Sequence, residues 1–86
     1  MILYILQSEK NGKYYIGITE NLERRIEQHN VGYSKSTKTA RPWILKYTEE
    51  YETRSEAVRR ETEIKSWKSH PKISKLIEQR MEERPE

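Results

Sequence analysis

Two short apolar runs open the chain. Ile2-Leu3-Tyr4-Ile5-Leu6-Gln7 and Lys13-Tyr14-Tyr15-Ile16-Gly17-Ile18 are β-prone, and the polar stretch between them contains Asn11-Gly12. Asn-Gly between two such runs predicts a hairpin, because both residues tolerate positive φ. Both runs are apolar on alternating faces, so the sheet needs helical cover on at least one side. The hydrophobic period then lengthens. Thr19 or Asn21 can cap a helix running to about His29, with Leu22 and Ile26 at i, i+4 and Asn30-Val31-Gly32 as its stop. Residues 33–42 read as a loop, and Trp43-Ile44-Leu45-Lys46-Tyr47-Thr48 as a third strand. Thr53-x-x-Glu56 predicts a capping box for a helix running to about Lys68. Pro71 suits the first turn of a last helix whose Ile73, Leu76, Ile77 and Met81 share a face. The order β-β-α-β-α-α predicts an α+β class with a three-stranded sheet. Residues 1–81 are expected to form one domain, and the charged end, residues 82–86, a frayed tail.

Composition narrows the chemistry. The chain has 86 residues, 33% hydrophobic and 36% charged, which allows one domain with a modest core. It has no Phe but six Tyr and two Trp, so phenol hydroxyls must lie in or near the core and find partners. The absence of Cys excludes disulfides, thiolate zinc sites and thiol nucleophiles, and fits a reducing cytoplasm. His29 and His70 are too far apart in sequence to form a ligand pair on one helix. No apolar run approaches the ~18 residues of a membrane span, and the N-terminus lacks the basic segment and cleavage site of a signal peptide. Residues 1–48 carry eight Lys and Arg against four Glu, whereas residues 49–86 carry nine against ten. An anionic partner is therefore expected at the first half. The 33–42 loop has three cations, Lys35, Lys38 and Arg41, four Ser and Thr hydroxyls and no acid.

Some residues fit a purely structural pattern poorly. Glu61 lies four residues after Ala57 and three before Ile64, on the apolar stripe of its helix. A carboxylate there needs a partner or a cation; it either turns to solvent, pairs with Arg60 or Lys65, or binds a metal. Leu22, Arg25, Ile26 and His29 share one helical face, which places an Arg and a His against the sheet. These are a snorkelling Arg with a helix-terminal His, or groups that recognise phosphate. Tyr4 and Tyr15 flank the hairpin and can approach across the strands, and Gly17 marks a bulge or a close backbone approach.

These residues resemble an ordered set found in one family. Tyr15-Ile16-Gly17 reads YIG, Ile2-Leu3-Tyr4 stands where a GIY triplet would stand, and residues 21–30 resemble the first-helix motif that follows. The segments 34–38, 41–43 and 61–65 look like those of small stand-alone members. Over roughly residues 1–80 the chain resembles the GIY-YIG nuclease superfamily, which includes the N-terminal incision domain of the repair nuclease UvrC. The resemblance implies a three-stranded antiparallel sheet flanked by helices. It implies a metal-dependent DNA endonuclease with little base specificity, structure-selective and linked to DNA repair or recombination. The family residues map onto Tyr4, Tyr15, Gly17, Arg25, His29 and Glu61, with Glu61 rather than Glu63 holding one divalent cation, Mg²⁺ with Mn²⁺ as substitute. Two departures stand out: the GIY triplet has no Gly, and no Asn follows Asn30, although many members carry a late Asn. The alternative implied by the second departure is a nucleic-acid-binding module of the same fold without catalysis.

If the chain is a nuclease, Arg25 would stabilise transition-state charge, and Tyr4 or Tyr15 would position the attacking water. A phenol near pKa 10 would need Arg25 and the metal to lower it. His29 would orient a tyrosine or contact the phosphate. Arg24, Lys35, Lys38 and Arg41 are the expected backbone-phosphate contacts, with the loop hydroxyls as further donors. Binding is then expected to be weak, salt-sensitive and sequence-tolerant. The chain is expected to be a monomer, with a larger repair protein as a further partner.

Overall fold

Strand β1 (Ile2–Ser8) runs through the middle of the molecule, between β2 (Tyr14–Thr19) and β3 (Trp43–Glu50). Both pairings are antiparallel, and the sheet order is β2-β1-β3. The computed structural model describes residues 1–33 and 35–82, with side chains described as far as residue 80. Met81, expected on the last apolar face, and the whole of the expected tail, residues 82–86, thus lie outside the described side chains.

Successive residues of a strand point to opposite faces, and β1 uses both. Leu3 and Ile5 face one way and meet Ile16, Tyr47, Ile64, Ile73 and Ile77. This core is capped by α3 (Arg54–Trp67) and α4 (His70–Glu82). Tyr4 and Leu6 face the other way and meet Trp43, Tyr15, Leu22, Ile26 and Ala40, under α1 (Leu22–Asn30). Helices therefore cover both faces, and Leu3, Tyr4, Ile5 and Leu6 are all buried.

Local signals explain most boundaries. Asn21 is the cap of α1, accepting from the Arg24 N–H at 3.1 Å, while Thr19 accepts from the Asn21 N–H. The predicted capping box of α3 forms in full between Thr53 and Glu56. Helix α3 ends at Lys68 in the left-handed region (φ 47°), and Ser69 then accepts from the Lys72 N–H as α4 begins. Pro71 lies in the first turn of α4, where its missing N–H costs nothing.

Two expectations change. In the hairpin only Gly12 has positive φ; Asn11 does not. The turn is longer than two residues, closed by Ser8 N–H to Lys13 C=O and Gly12 N–H to Ser8 C=O, and the Ser8 hydroxyl accepts from the Lys10 and Asn11 N–H groups. The 33–42 loop contains a helical turn, α2 (Lys35–Lys38). It is tied to the hairpin by Ser8 Oγ to Ala40 C=O, Glu9 N–H to Pro42 C=O and Lys10 Nζ to Thr39 C=O. The Arg41–Pro42 peptide is cis. Among the described residues no helix is long and apolar enough to cross a membrane.

Candidate active site

The strand register brings the two tyrosines together. Tyr4 pairs with Gly17 and Leu6 pairs with Tyr15, so Tyr4 and Tyr15 are diagonal neighbours on one face. Their ring centroids lie 6.3 Å apart. Gly17 acts by leaving space: a Cβ there would lie 2.5 Å from Tyr4 Oη and 2.7 Å from Cζ. The close approach is therefore that of the Tyr4 ring across the Gly17 backbone.

Helix α1 lays Arg25 and, one turn later, His29 over these rings. Arg25 Nε donates to Tyr4 Oη at 3.3 Å, and its Nη1 donates to Gln28 Oε1 at 3.0 Å. Tyr4 Oη and His29 Nε2 are 3.1 Å apart, and His29 Nδ1 lies 2.9 Å from Thr37 Oγ1. A neutral imidazole carries one ring proton, so His29 donates through one of these two contacts and accepts through the other. The His29 ring also meets the Tyr15 ring edge-on, 4.7 Å between centroids.

Burial decides the charge states here. His29 is 0% exposed, and burial, aided by the nearby Arg25 charge, lowers its pKa to about 4. It is neutral at pH 7, closed to solvent and in contact with Tyr4. Tyr4, 1% exposed, is raised above the ordinary phenol value. Burial is the main cause, with Tyr15 and Glu61 adding to it; the Arg25 hydrogen bond and charge pull the other way and lose. Arg25 by itself therefore does not bring the Tyr4 phenol below its ordinary value. Tyr15 is only half-buried and is the accessible phenol of the pair.

Glu61 projects from α3 close enough for its charge to act on Tyr4. Its side chain is 20% exposed and pairs with Lys65 one turn along, Nζ to Oε2 3.2 Å. Glu63 points away, 56% exposed, and pairs with Arg60. Of the two carboxylates, Glu61 is the less exposed and the one whose charge acts on Tyr4. No group of three or more His, Cys, Asp or Glu gathers among the described residues. A lone carboxylate does not build a protein cage for a metal. It does fit a hard cation that keeps most of its waters and takes its other oxygens from a phosphate.

The basic residues surround the site rather than enter it. Arg24, Lys35, Lys38 and Arg41 are all exposed. The Arg41 guanidinium and the Lys38 stem converge over Gly32, where a Cβ would meet Arg41 Nη1 at 2.5 Å. The loop hydroxyls are not all available to a ligand: Thr37 is turned inward, 1% exposed, onto His29. Thr37 is a site-supporting residue that sequence patterning does not reveal, and Asn30 is another. The Asn30 amide bonds both the N–H and the C=O of Trp43, at 2.6 and 3.1 Å, and the Trp43 indole donates to Thr37 C=O. These bonds lock the end of α1, α2 and the start of β3 around His29.

The GIY-YIG catalytic domain model matches residues 1–76. The chain belongs to the GIY-YIG family. The chain is similar to the UPF0213 protein SH2523 of Staphylococcus haemolyticus, 46% identical over 79 residues, covering 91% of this chain and 94% of that protein. The UPF0213 protein SA0446 of Staphylococcus aureus strain N315 is 42% identical over the same coverage. No solved structure matches the chain. The three-stranded antiparallel sheet with flanking helices in the order β-β-α-β-α-α is the GIY-YIG architecture expected from the resemblance. Family membership places the chain in a nuclease superfamily.

Proposed function

We propose that this GIY-YIG protein is a metal-dependent endonuclease that hydrolyses phosphodiester bonds in DNA, with little base specificity and a preference for branched or nicked structures. A role in DNA repair or recombination in the cytoplasm, as a monomer that works beside a larger repair protein, follows from the same reading. The observation that carries it is the convergence of Arg25, Tyr15 and Glu61 around a pre-bonded Tyr4–His29 pair.

Glu61 is the residue to hold one divalent cation, Mg²⁺ or Mn²⁺, which supplies charge neutralisation at the phosphate and the leaving oxygen. Arg25 is anchored through Nε and Nη1, so its guanidinium plane is set before substrate arrives. Such a preorganised cation favours the extra negative charge of a pentacoordinate phosphate without reorganising. Tyr15, the accessible phenol, orients the attacking water. Tyr4 and His29 are positioning residues: buried and mutually bonded, they fix Arg25 and the Tyr15 ring. The exposed Arg24, Lys35, Lys38 and Arg41 hold flanking phosphates, which positions a backbone without reading bases.

The test is cleavage of end-labelled flapped, nicked, branched and linear DNA with Mg²⁺, with Mn²⁺ and with chelator. The expected result is metal-dependent scission by the wild type, lost by ~10²-fold or more in Glu61→Gln and Arg25→Ala while both variants keep the wild-type melting profile. Scission that persists in Glu61→Gln overturns the metal assignment. No scission of any substrate favours the binding module of the same fold.

A further inference from the structure

Lys65 faces two ways. Its ammonium pairs with Glu61, and its side chain also lines a cleft of about 390 Å³ on the outer side of β2. The floor of that cleft is Ile16, Ile64 and Ile73, and its rim carries Lys13, Lys65, Lys68 and His70 without any carboxylate. Tyr15 borders the cleft at the β2 edge, with its ring on the α1 face and the neighbouring Ile16 side chain on the cleft's face. Two contacts set the rim. His70 stacks on Tyr14 (centroids 4.4 Å apart) and bonds the Gly12 carbonyl at 3.0 Å, which fastens the hairpin to the start of α4. The left-handed Lys68 ends α3 on that rim.

Lys65 is shared with Glu61, while Lys13 and Lys68 have no carboxylate partner among the described residues, so the rim favours an anion, and a phosphate is the anion that a strand passing the β2 edge would bring. We propose that this cleft holds a backbone phosphate of the nucleic-acid strand, and that Lys65 is the residue that couples it to the cation site. In the free protein Lys65 occupies Glu61. When Glu61 takes a divalent cation, two like charges cannot share the carboxylate, and the flexible Lys65 stem turns into the cleft to meet the phosphate. Cation and nucleic acid then bind with positive coupling, each favouring the arrangement the other needs. The proposal rests on the endonuclease reading above, since it requires Glu61 to bind a cation. It adds a phosphate subsite on the far side of the hairpin from Lys35, Lys38 and Arg41.

The test measures binding, with Ca²⁺ in place of Mg²⁺ to suppress cleavage. A fluorescent oligodeoxynucleotide is titrated with and without Ca²⁺ against wild type, Lys65→Gln, Lys68→Gln and Glu61→Gln. Mn²⁺ binding to each DNA-free protein is followed by water-proton relaxation, and circular dichroism checks that each variant folds. Ca²⁺ is expected to tighten wild-type DNA binding by ~5- to 50-fold. Lys68→Gln should weaken binding about equally with and without Ca²⁺, keeping that ratio. Lys65→Gln should raise Mn²⁺ affinity in the DNA-free protein and cut the Ca²⁺ ratio at least threefold. A wild-type ratio in Lys65→Gln overturns the proposal alone if Glu61→Gln has lost Mn²⁺ binding. Undiminished Mn²⁺ binding in Glu61→Gln overturns the cation assignment, and the proposal with it.

Discussion

The two faces of the sheet are built from the same strand and do different work. On the α3–α4 face, Leu3 and Ile5 meet a cluster of isoleucines, sealed at its edge by Glu49. That carboxylate accepts from Arg60 Nε at 3.0 Å and from the Tyr47 and Tyr51 hydroxyls. On the α1 face, one residue along, Tyr4 meets His29, Arg25 and Tyr15. Strand alternation thus places an apolar core and a polar cluster one peptide unit apart, with α3 contributing Ile64 to the first and Glu61 to the second.

The largest stability effect is expected on the first face. Ile5→Ala should cost ~2–5 kcal/mol in urea unfolding, because Ile5 is 0% exposed and the site cannot collapse without moving the helices. Cleavage per folded molecule should stay near the wild-type value. If activity falls in step with stability, the two faces are not separable.

Acid should strike the second face first. The His29 pKa of about 4 lies below its ordinary 6.5, so the unfolded chain takes up the proton before the folded one does. The stability due to this group is complete above pH 6.5 and declines as pH falls towards 4, by about 3 kcal/mol in all. Burial pushes Glu49 up, but the Arg60, Tyr47 and Tyr51 hydrogen bonds more than offset this and hold it below the usual carboxylate range. Its contribution is therefore lost only at lower pH, from about 4.5 downwards. Urea midpoints at pH 7.0 and 4.8 should separate the two, with the pH 4.8 loss absent in His29→Gln.

Tyr4→Phe sharpens the contrast from the other side. It removes one oxygen and leaves His29 Nε2 buried without its partner, a cost of ~1–3 kcal/mol. Activity should fall by more than this stability loss accounts for, since Arg25 loses the bond that sets its plane. The smallest effect is expected at an exposed helix end: Thr53→Ala removes the α3 capping box for about 1 kcal/mol. Its melting temperature should drop while the cleavage rate of the folded protein is kept.

What could be read in advance was what depends on local spacing. The alternation in residues 2–7, the Thr53–Glu56 box, the seam of Leu22 and Ile26, and the pairing options of Glu61 all follow from neighbours within one turn or one strand. What escaped depends on distant segments meeting. The inward turn of Thr37 requires α2 to fold back on the end of α1, and the neutrality of His29 requires the burial that results. Asn30, legible as a helix stop, acts as a clamp only because β3 begins beside it. Arg25 was visible as a cation beside a phenol, but its pull on Tyr4 had to be weighed against a burial that only the packed sheet supplies.

The central position of β1 has a dynamic consequence. A strand hydrogen-bonded on both sides and covered by helices on both faces exchanges its amide protons only through the deepest openings of the molecule. Tyr4 therefore meets solvent about as rarely as the whole domain unfolds, whereas Tyr15 stands on an edge strand and Tyr33, 76% exposed, on the surface. A phenol-nitrating reagent should modify Tyr33 first, Tyr15 next and Tyr4 last, at a rate that tracks global unfolding. Half of the site then has the rigidity of the fold itself, and whatever must move during turnover is left to the β2 edge and the side chains of α3.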